Sequence, residues 1–202
     1  IIPHGIEKRF KTKSKSCRTI VRAVFTEKKP LRILYISDFL PYKHHLEVLS
    51  AVKDNLMKGR FINLTLIGSA TSKYAEPVLK MLSEDVFANN VQHRDKVPYH
   101  EIHNVYEEFD AVIFASSCEN LPFTLLEAIA SGLPVLSSNK GPMPEILGNF
   151  GNFFDPFDSE SISKAIKNCY EDYIIYCHKA TESLQLIEHY EWEKSSEKTW
   201  KF

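Results

Sequence analysis

Glycine is scarce: seven in 202 residues, and none of them falls into G-x-G-x-x-G or G-x-x-x-x-G-K-[ST]. Without those phosphate-cradling loops the chain does not read as a P-loop NTPase or a standard dinucleotide oxidoreductase. Cysteine is scarce too: Cys17, Cys118, Cys169 and Cys177 form no C-x-x-C pair and no zinc-like spacing. That pattern fits reduced thiols better than a disulfide framework, and no metal site is expected. Charge of one sign is missing, since 25 Lys+Arg against 26 Asp+Glu leave a net charge of -1. No overall field then draws the protein to nucleic acid or to an anionic membrane, and an anion must be bound by local geometry. No apolar run reaches the ~18 residues that span a bilayer, and no signal-peptide pattern opens the chain. The expectation is a cytoplasmic protein, at most peripheral at the inner face of a membrane. The opening Ile1-Ile2-Pro3-His4-Gly5 lacks an initiator methionine and reads as a piece of something longer.

What is present is a regular alternation. Residues 1–30 are basic and weakly periodic and read as a connecting segment, with a short strand expected over 18–25. From Leu31 onward, short apolar runs ("LRILYIS", "INLTLIG", "NVQHRDKV", "DAVIFAS", "LPVLSS", "GNFFDP") predict strands. Amphipathic stretches between them ("HHLEVLSAVKDNLM", "EPVLKMLSED", "YHEIHNVYEEF", "FTLLEAIASG", "MPEILG", "SESISKAIKNCYEDY") predict helices. Strands alternating with helices predict an α/β, Rossmann-like domain over 31–202, with a parallel sheet covered by helices on both faces. The tail "YIIYCHKATESLQLIEHY" and "EWEKSSEKTWKF" predicts two further helices. Ligands of such open sheets lie beyond the carboxyl ends of the strands, which directs attention to loops 37–44, 68–73, 94–99, 116–123 and 138–143.

In "SSCENLPFTLLEAIASGLPVLSSNKGPMPE", Glu119 precedes a helix that carries Glu127 eight positions later. Pro122 suits the first helical position, and a helix end there aims N–H groups, with about half a positive charge, at the crevice. A carboxylate one turn further in is able to accept from two neighbouring hydroxyls, as on a ribose. Isolated glutamates are more often solvated, so spacing alone leaves both readings open. The same holds for Lys43, for His44 and His45 at a helix start, and for Gly68, which is either a turn glycine or a place where backbone approaches a ligand. His100 and His103 sit at helical spacing but lack a third ligand.

The whole block "SSCENLPFTLLEAIASGLPVLSSNKGPMPEILGNFGNFFDP", with "IIPHGI" before it and "HYEWEK" after it, resembles the donor-binding half of retaining GT-B glycosyltransferases. Glu119 and Glu127 match their E-x7-E pattern, and "LEAIASGLPV" their helix and strand. The resemblance implies one half of a GT-B fold. It implies a nucleotide diphosphate sugar as donor, no cofactor or obligatory metal, and transfer of a hexosyl group with retention to a glycan or lipid-linked acceptor. An N-terminal acceptor domain would be missing, so the chain alone would transfer nothing. Glu119 would contact the donor sugar and Glu127 the ribose. Main-chain amides at Phe123 and Thr124 would hold the diphosphate, with Lys43 neutralising it, and the loop at Lys96 and Val97 would lie beside the base. Two positions depart from the pattern. Asn120-Leu121-Pro122 stands where Gly-Phe-Gly is common, and Ser37-Asp38 where Gly-Arg is expected, so that His44 would donate in place of the arginine. A non-catalytic module of the same fold is the alternative, and an epimerase or phosphorylase of GT-B architecture a more distant one.

Overall fold

The computed structural model describes residues 5–11 and 24–201. In these, β1 (Leu31–Ile36), α1 (His45–Met57), β2 (Ile62–Ile67), α2 (Ala75–Leu82) and β3 (Val91–Arg94) build the first half. The second half follows as α3 (Ile102–Tyr106), β4 (Ala111–Phe114), α4 (Phe123–Ser131), β5 (Val135–Ser138), α5 (Met143–Leu147) and β6 (Asn152–Phe154). Helices α6 (Ser159–Glu171), α7 (Tyr173–Ser183) and α8 (Trp192–Trp200) complete the chain. The strands make a six-stranded sheet in the order β3-β2-β1-β4-β5-β6, with every neighbouring pair parallel. This is the expected α/β, Rossmann-like architecture.

Periodicity explains the layering. β4 and β5 are buried at every position, as strands covered on both faces must be. Alternate residues of β1 and β2 divide between two cores. Leu31, Ile33, Tyr35, Ile62, Leu64 and Leu66 face one that includes Val48, Leu49 and Val52 of α1, Val78 of α2 and Ile162 and Ile166 of α6. Leu34 and Ile67 face the other, with Tyr106 of α3, Leu125 and Ile129 of α4 and Ile146 of α5. Gly132, in the left-handed region at φ 72°, ends α4 where the sequence places a stop.

Several boundaries move. The helix expected over 99–109 is regular only across α3, because tight turns flank it: Glu101 N–H donates to Pro98 C=O at 2.9 Å and Glu108 N–H to Val105 C=O at 3.0 Å. The first tail helix gives way after α7 to 3-10 geometry over Leu184–Tyr190, which carries buried Ile187 into the second core. Pro122 is the cap of α4 and not its first helical residue. The strand expected over 18–25 lies outside the described residues as far as 23, and residues 24 and 25 are not in a strand. Residues 5–11 are packed against the domain. Ile6 N–H donates to Tyr190 C=O at 2.7 Å, and Phe10 is fully buried in the second core.

The order of strands places the site. After β3 the chain returns to the other side of β1 to form β4, so the loops leaving β1 and β4 diverge and open a crevice above their carboxyl ends. Gly68, at the end of β2, serves this arrangement in a way the sequence reading did not anticipate. A Cβ at Gly68 would lie 2.1 Å from Ser37 O, so the main chain it admits is that of the β1 loop. Its φ of 154° also disfavours side chains. Gly68→Ala is expected to destabilise the fold by about 2 kcal/mol or more, the scale of overpacking with backbone displacement. Urea unfolding checks this, and a loss within error of zero would show that the two loops separate freely.

Candidate functional site

The crevice is built from the loops after β1 and β4 and the first turns of α4. After β1, a 3-10 turn over Pro41–Lys43 leads into His44, whose left-handed conformation (φ 53°) lets α1 begin at once. Tyr35, fully buried on β1, donates its hydroxyl to Lys43 C=O at 2.5 Å and so fixes the turn. From the β4 side, Ser117 N–H donates to Tyr42 C=O at 2.9 Å, and His44 Nε2 lies 2.8 Å from Ser117 Oγ. These bonds tie the two loops together.

The consequence is an ion pair between Lys43 and Glu119, two residues 76 positions apart. Both side chains are largely buried, and the lysine ammonium lies 5.6 Å from the centre of the Phe114 ring. A largely buried pair of this kind is costly to break on one side only. The two residues assigned to chemistry from the sequence therefore meet at the mouth of α4. There Leu125 and Leu126 N–H both turn onto Pro122 C=O, at 3.1 and 3.2 Å. Phe123 and Thr124 open the first turn of α4. The helix end carries a partial positive charge, and Glu119, in the loop that leads into it, holds Lys43.

Glu127 is buried, only 4% exposed, deeper than a crevice flank requires. Tyr106 of α3 donates its hydroxyl to Glu127 Oε2 at 3.2 Å and lies 3.3 Å from Thr124 C=O. Burial pushes the Glu127 carboxyl up to about 7, against the opposing pull of the Tyr106 hydrogen bond and of the Arg9 charge. The sequence reading missed Arg9, Tyr99 and Tyr106. All three reach Glu127 from distant segments, which no local pattern announces.

The remaining predicted residues divide. His44 is buried rather than on the surface, and burial holds its imidazole below the ordinary range, with Glu47 and Asp155 pulling the other way. It therefore brings a hydrogen bond to Ser117 rather than the positive charge of an arginine. His45, also read as a surface residue, is fully buried. It stacks on Tyr35 at 5.0 Å, and burial lowers its ring to about 3. Gly68 faces Ser37 and Asp38. Val97 packs against the second core. Asp38 is turned to its neighbours: it accepts from Ser69 N–H at 2.9 Å and from Lys96 at 2.8 Å. Burial by itself would raise its carboxyl, but these two partners and Lys43 outweigh that and hold it below the usual range. Among the described residues no group of three His, Cys, Asp or Glu is placed to hold a metal ion, and no helix is long and apolar enough to cross a membrane.

The chain matches the family described as Glycosyl transferases group 1 over residues 18–185. It belongs to that family. It is 29% identical over 140 residues to the O-antigen chain mannosyltransferase B of Escherichia coli, covering 69% of this chain and 36% of that protein. In fold it is similar to the Anabaena Alr3699/HepE structure in complex with UDP, with a TM-score of 0.82 at 16% identity, covering 98% of this chain and 55% of that one. It is also similar to the C-terminal domain of the group 1 glycosyl transferase LpcC from Francisella tularensis. That likeness has a TM-score of 0.74 at 20% identity and covers 91% of this chain and 97% of that one. The fold is one half of the GT-B architecture. The chain spans between 24% and 48% of the length of the curated relatives it matches.

The buried carboxylate makes stability depend on pH. Because the folded state raises Glu127 from 4.5 to about 7, its contribution is fully present below pH 4.5 and is lost as pH rises through 7, a difference of ~3 kcal/mol. Glu127→Gln is therefore expected to be more stable than the parent at pH 8 by roughly 2–3 kcal/mol, with the gap shrinking as pH falls toward 5. Urea titrations at both values check it. A gap that does not change with pH would show that the carboxyl titrates normally.

Proposed function

We propose that this chain is the donor-binding domain of a retaining glycosyltransferase. The enzyme would move a hexosyl group from a nucleoside diphosphate sugar to a glycan or lipid-linked acceptor. The observation that carries this is the pairing of Lys43 with Glu119 in the loop that leads into α4, with Glu127 further along that helix. Glu127 lies five positions beyond Pro122, which at about 1.5 Å per residue is roughly 7.5 Å along the axis. That span suits a diphosphate on the helix end and its ribose diol at Glu127.

Transfer breaks the bond between the anomeric carbon and the phosphate oxygen. The electron pair leaves with the diphosphate while positive charge grows on the sugar ring. Donors already aimed at the departing oxygen stabilise that transition state without reorganisation. Here the first-turn amides of α4 and the Lys43 ammonium fill that role. A diphosphate arriving at Lys43 competes with Glu119 for it, and the displaced carboxylate is then in place to accept from sugar hydroxyls and to favour the growing positive charge. The acceptor hydroxyl and the group that takes its proton belong to the other half of such an enzyme. In keeping with this, the LpcC C-terminal domain is matched over nearly its whole length, whereas HepE is matched over about half. The names of two relatives, O-antigen chain mannosyltransferases, favour surface polysaccharide or lipopolysaccharide synthesis. The HepE complexes with UDP and UDP-glucose favour a nucleotide-linked donor. We place the reaction in the cytoplasm, at the inner face of the membrane.

One observation favours a second reading, a module that binds donors without chemistry. Asp38 brings a carboxylate to the crevice and occupies Lys96. Donor hydrolysis by the chain rejoined to an N-terminal half distinguishes the two, since turnover rules out the inert module.

Titration calorimetry with UDP, GDP and ADP sugars tests the donor site. Binding to at least one is expected, with loss of affinity on Glu127→Ala. Lys43→Met should cost roughly 10- to 100-fold, the value of a charge-assisted contact. The double variant Lys43→Met/Glu119→Gln, which leaves no unpaired carboxylate, should lose at least as much and so exclude a folding artefact. Heat from none of the donors would sink the proposal.

A further inference from the structure

Phe157, in the loop after β6, is 65% exposed, and a lone exposed ring is ordinary on a protein surface. This one is held from several sides. Its N–H donates to Asp155 Oδ1 at 3.1 Å, and Asp155 N–H donates to Ser161 Oγ at 3.0 Å in the first turn of α6. The ring stands across the buried His44 imidazole, with centres 4.6 Å apart and planes inclined at 77°. The Lys140 ammonium lies 5.8 Å from the ring centre and pairs with Asp155 at 3.0 Å. Both neighbours belong to the donor crevice. His44 directly follows Lys43, and a Cβ on Gly141, beside Lys140, would touch Glu119 O at 3.8 Å. Phe157 is thus close to the Lys43–Glu119 pair along two separate paths.

The order of elements says what such a ring meets. Glu127 is covered by Tyr106, from the segment after β3 at one edge of the sheet, whereas Phe157 follows β6 at the other edge. In the donor reading above, the ribose is at Glu127, the diphosphate at the first turn of α4 and the sugar at Glu119. The next group in that direction lies beyond the donor's end, and it is the acceptor. We propose that Phe157 is an acceptor platform contributed by this half of the enzyme: a pyranose ring stacks on it, and the Lys140–Asp155 pair takes that sugar's hydroxyls. A pyranose turns a face of weakly positive C–H groups outward, which suits the negative π face of an aromatic ring. Its hydroxyls both donate and accept, which suits an ammonium beside a carboxylate. The pair carries no net charge, so an uncharged sugar fits it better than a phosphate. This rests on the donor reading and adds a contact for the acceptor to it, while the reacting hydroxyl and its base stay with the other half.

Two measurements on the whole chain test this: calorimetry with UDP, GDP, ADP, UDP-glucose, GDP-mannose and ADP-glucose, and saturation-transfer NMR with the methyl glycosides of mannose, glucose, galactose and N-acetylglucosamine in the presence of a nucleotide that binds. At least one glycoside is expected to bind the parent. Phe157→Ala should weaken it by roughly fivefold, the scale of one aromatic contact, and leave the nucleotides unchanged. The nucleotide arm also shows that the variant is folded. Phe157→Tyr should restore glycoside binding, because the ring does the stacking. If the parent binds nucleotides but no glycoside, or binds a glycoside that Phe157→Ala binds equally well, the platform is wrong and the donor site stands. If Phe157→Ala weakens the nucleotide sugars but not the bare diphosphates, the ring serves the donor's own sugar and the acceptor assignment falls. If the parent binds no nucleotide, the donor reading fails and the platform fails with it.

Discussion

The pairing of β1 with β4 is the constraint on which the rest of the molecule depends. The chain winds outward from β1 through β2 to β3 and must then re-enter beside β1, and that reversal alone creates a crevice. Its lower end is pinned by Arg32 and Asp110. Arg32 Nε and Nη2 donate to the two carboxylate oxygens at 2.9 and 2.8 Å, and Arg32 N–H donates to the same carboxylate at 3.0 Å. Asp110 N–H returns to Arg32 C=O at 2.9 Å, while the buried Tyr173 hydroxyl donates to Asp110 C=O at 2.8 Å. A planar, bidentate fork specifies register more strictly than a point charge would. Register at the bottom of these strands decides which residues emerge at the top.

At the top, the same two strands deliver their loops to one another. Backbone bonds between Ser117 and Tyr42, the His44–Ser117 contact and the Tyr35 hydroxyl on Lys43 hold both loops. The Lys43–Glu119 pair closes on top of them. Stability and function pull against each other here. Glu127 is kept in a site that favours its neutral form, which a ligand with hydroxyls to offer would repay in hydrogen bonds. Strained or costly groups concentrated at one end of a sheet, above an otherwise apolar body, are what a binding domain of this kind leads one to expect.

Much of the fold was legible because its signals are local. Six apolar runs and the helices between them follow from side-chain period, Gly132 from the need for a left-handed residue, and the parallel sheet from the alternation of elements. The weak points were equally local: tight turns shorten α3, and no period distinguishes α7 from the 3-10 stretch behind it. Glu119, Lys43 and Glu127 were picked out individually by motif and by resemblance. Their surroundings were not. For His44 and His45 spacing left a ligand role and a solvated helix start both open, yet Ser117 of the β4 loop and Phe157 lie against His44, and Tyr35, Ser37 and Phe39 enclose His45. Asp38 read as a lost phosphate clamp, but its role toward Ser69 and Lys96 depends on two strands that its own sequence neighbourhood does not mention.

By itself, then, the sequence determined the class of fold, the order of its elements and the identity of the residues at the helix mouth. Each of these depends on side-chain pattern along the chain. Only the tertiary structure decided that Lys43 and Glu119 neutralise one another, that Glu127 is buried against Tyr106, that Gly68 makes room for Ser37, and that Arg9 reaches Tyr99 from the far end of the chain. These are contacts between residues tens of positions apart, and their geometry is set by strand order and register. A sequence pattern carries residue types and spacings, and neither contains a distance across the sheet.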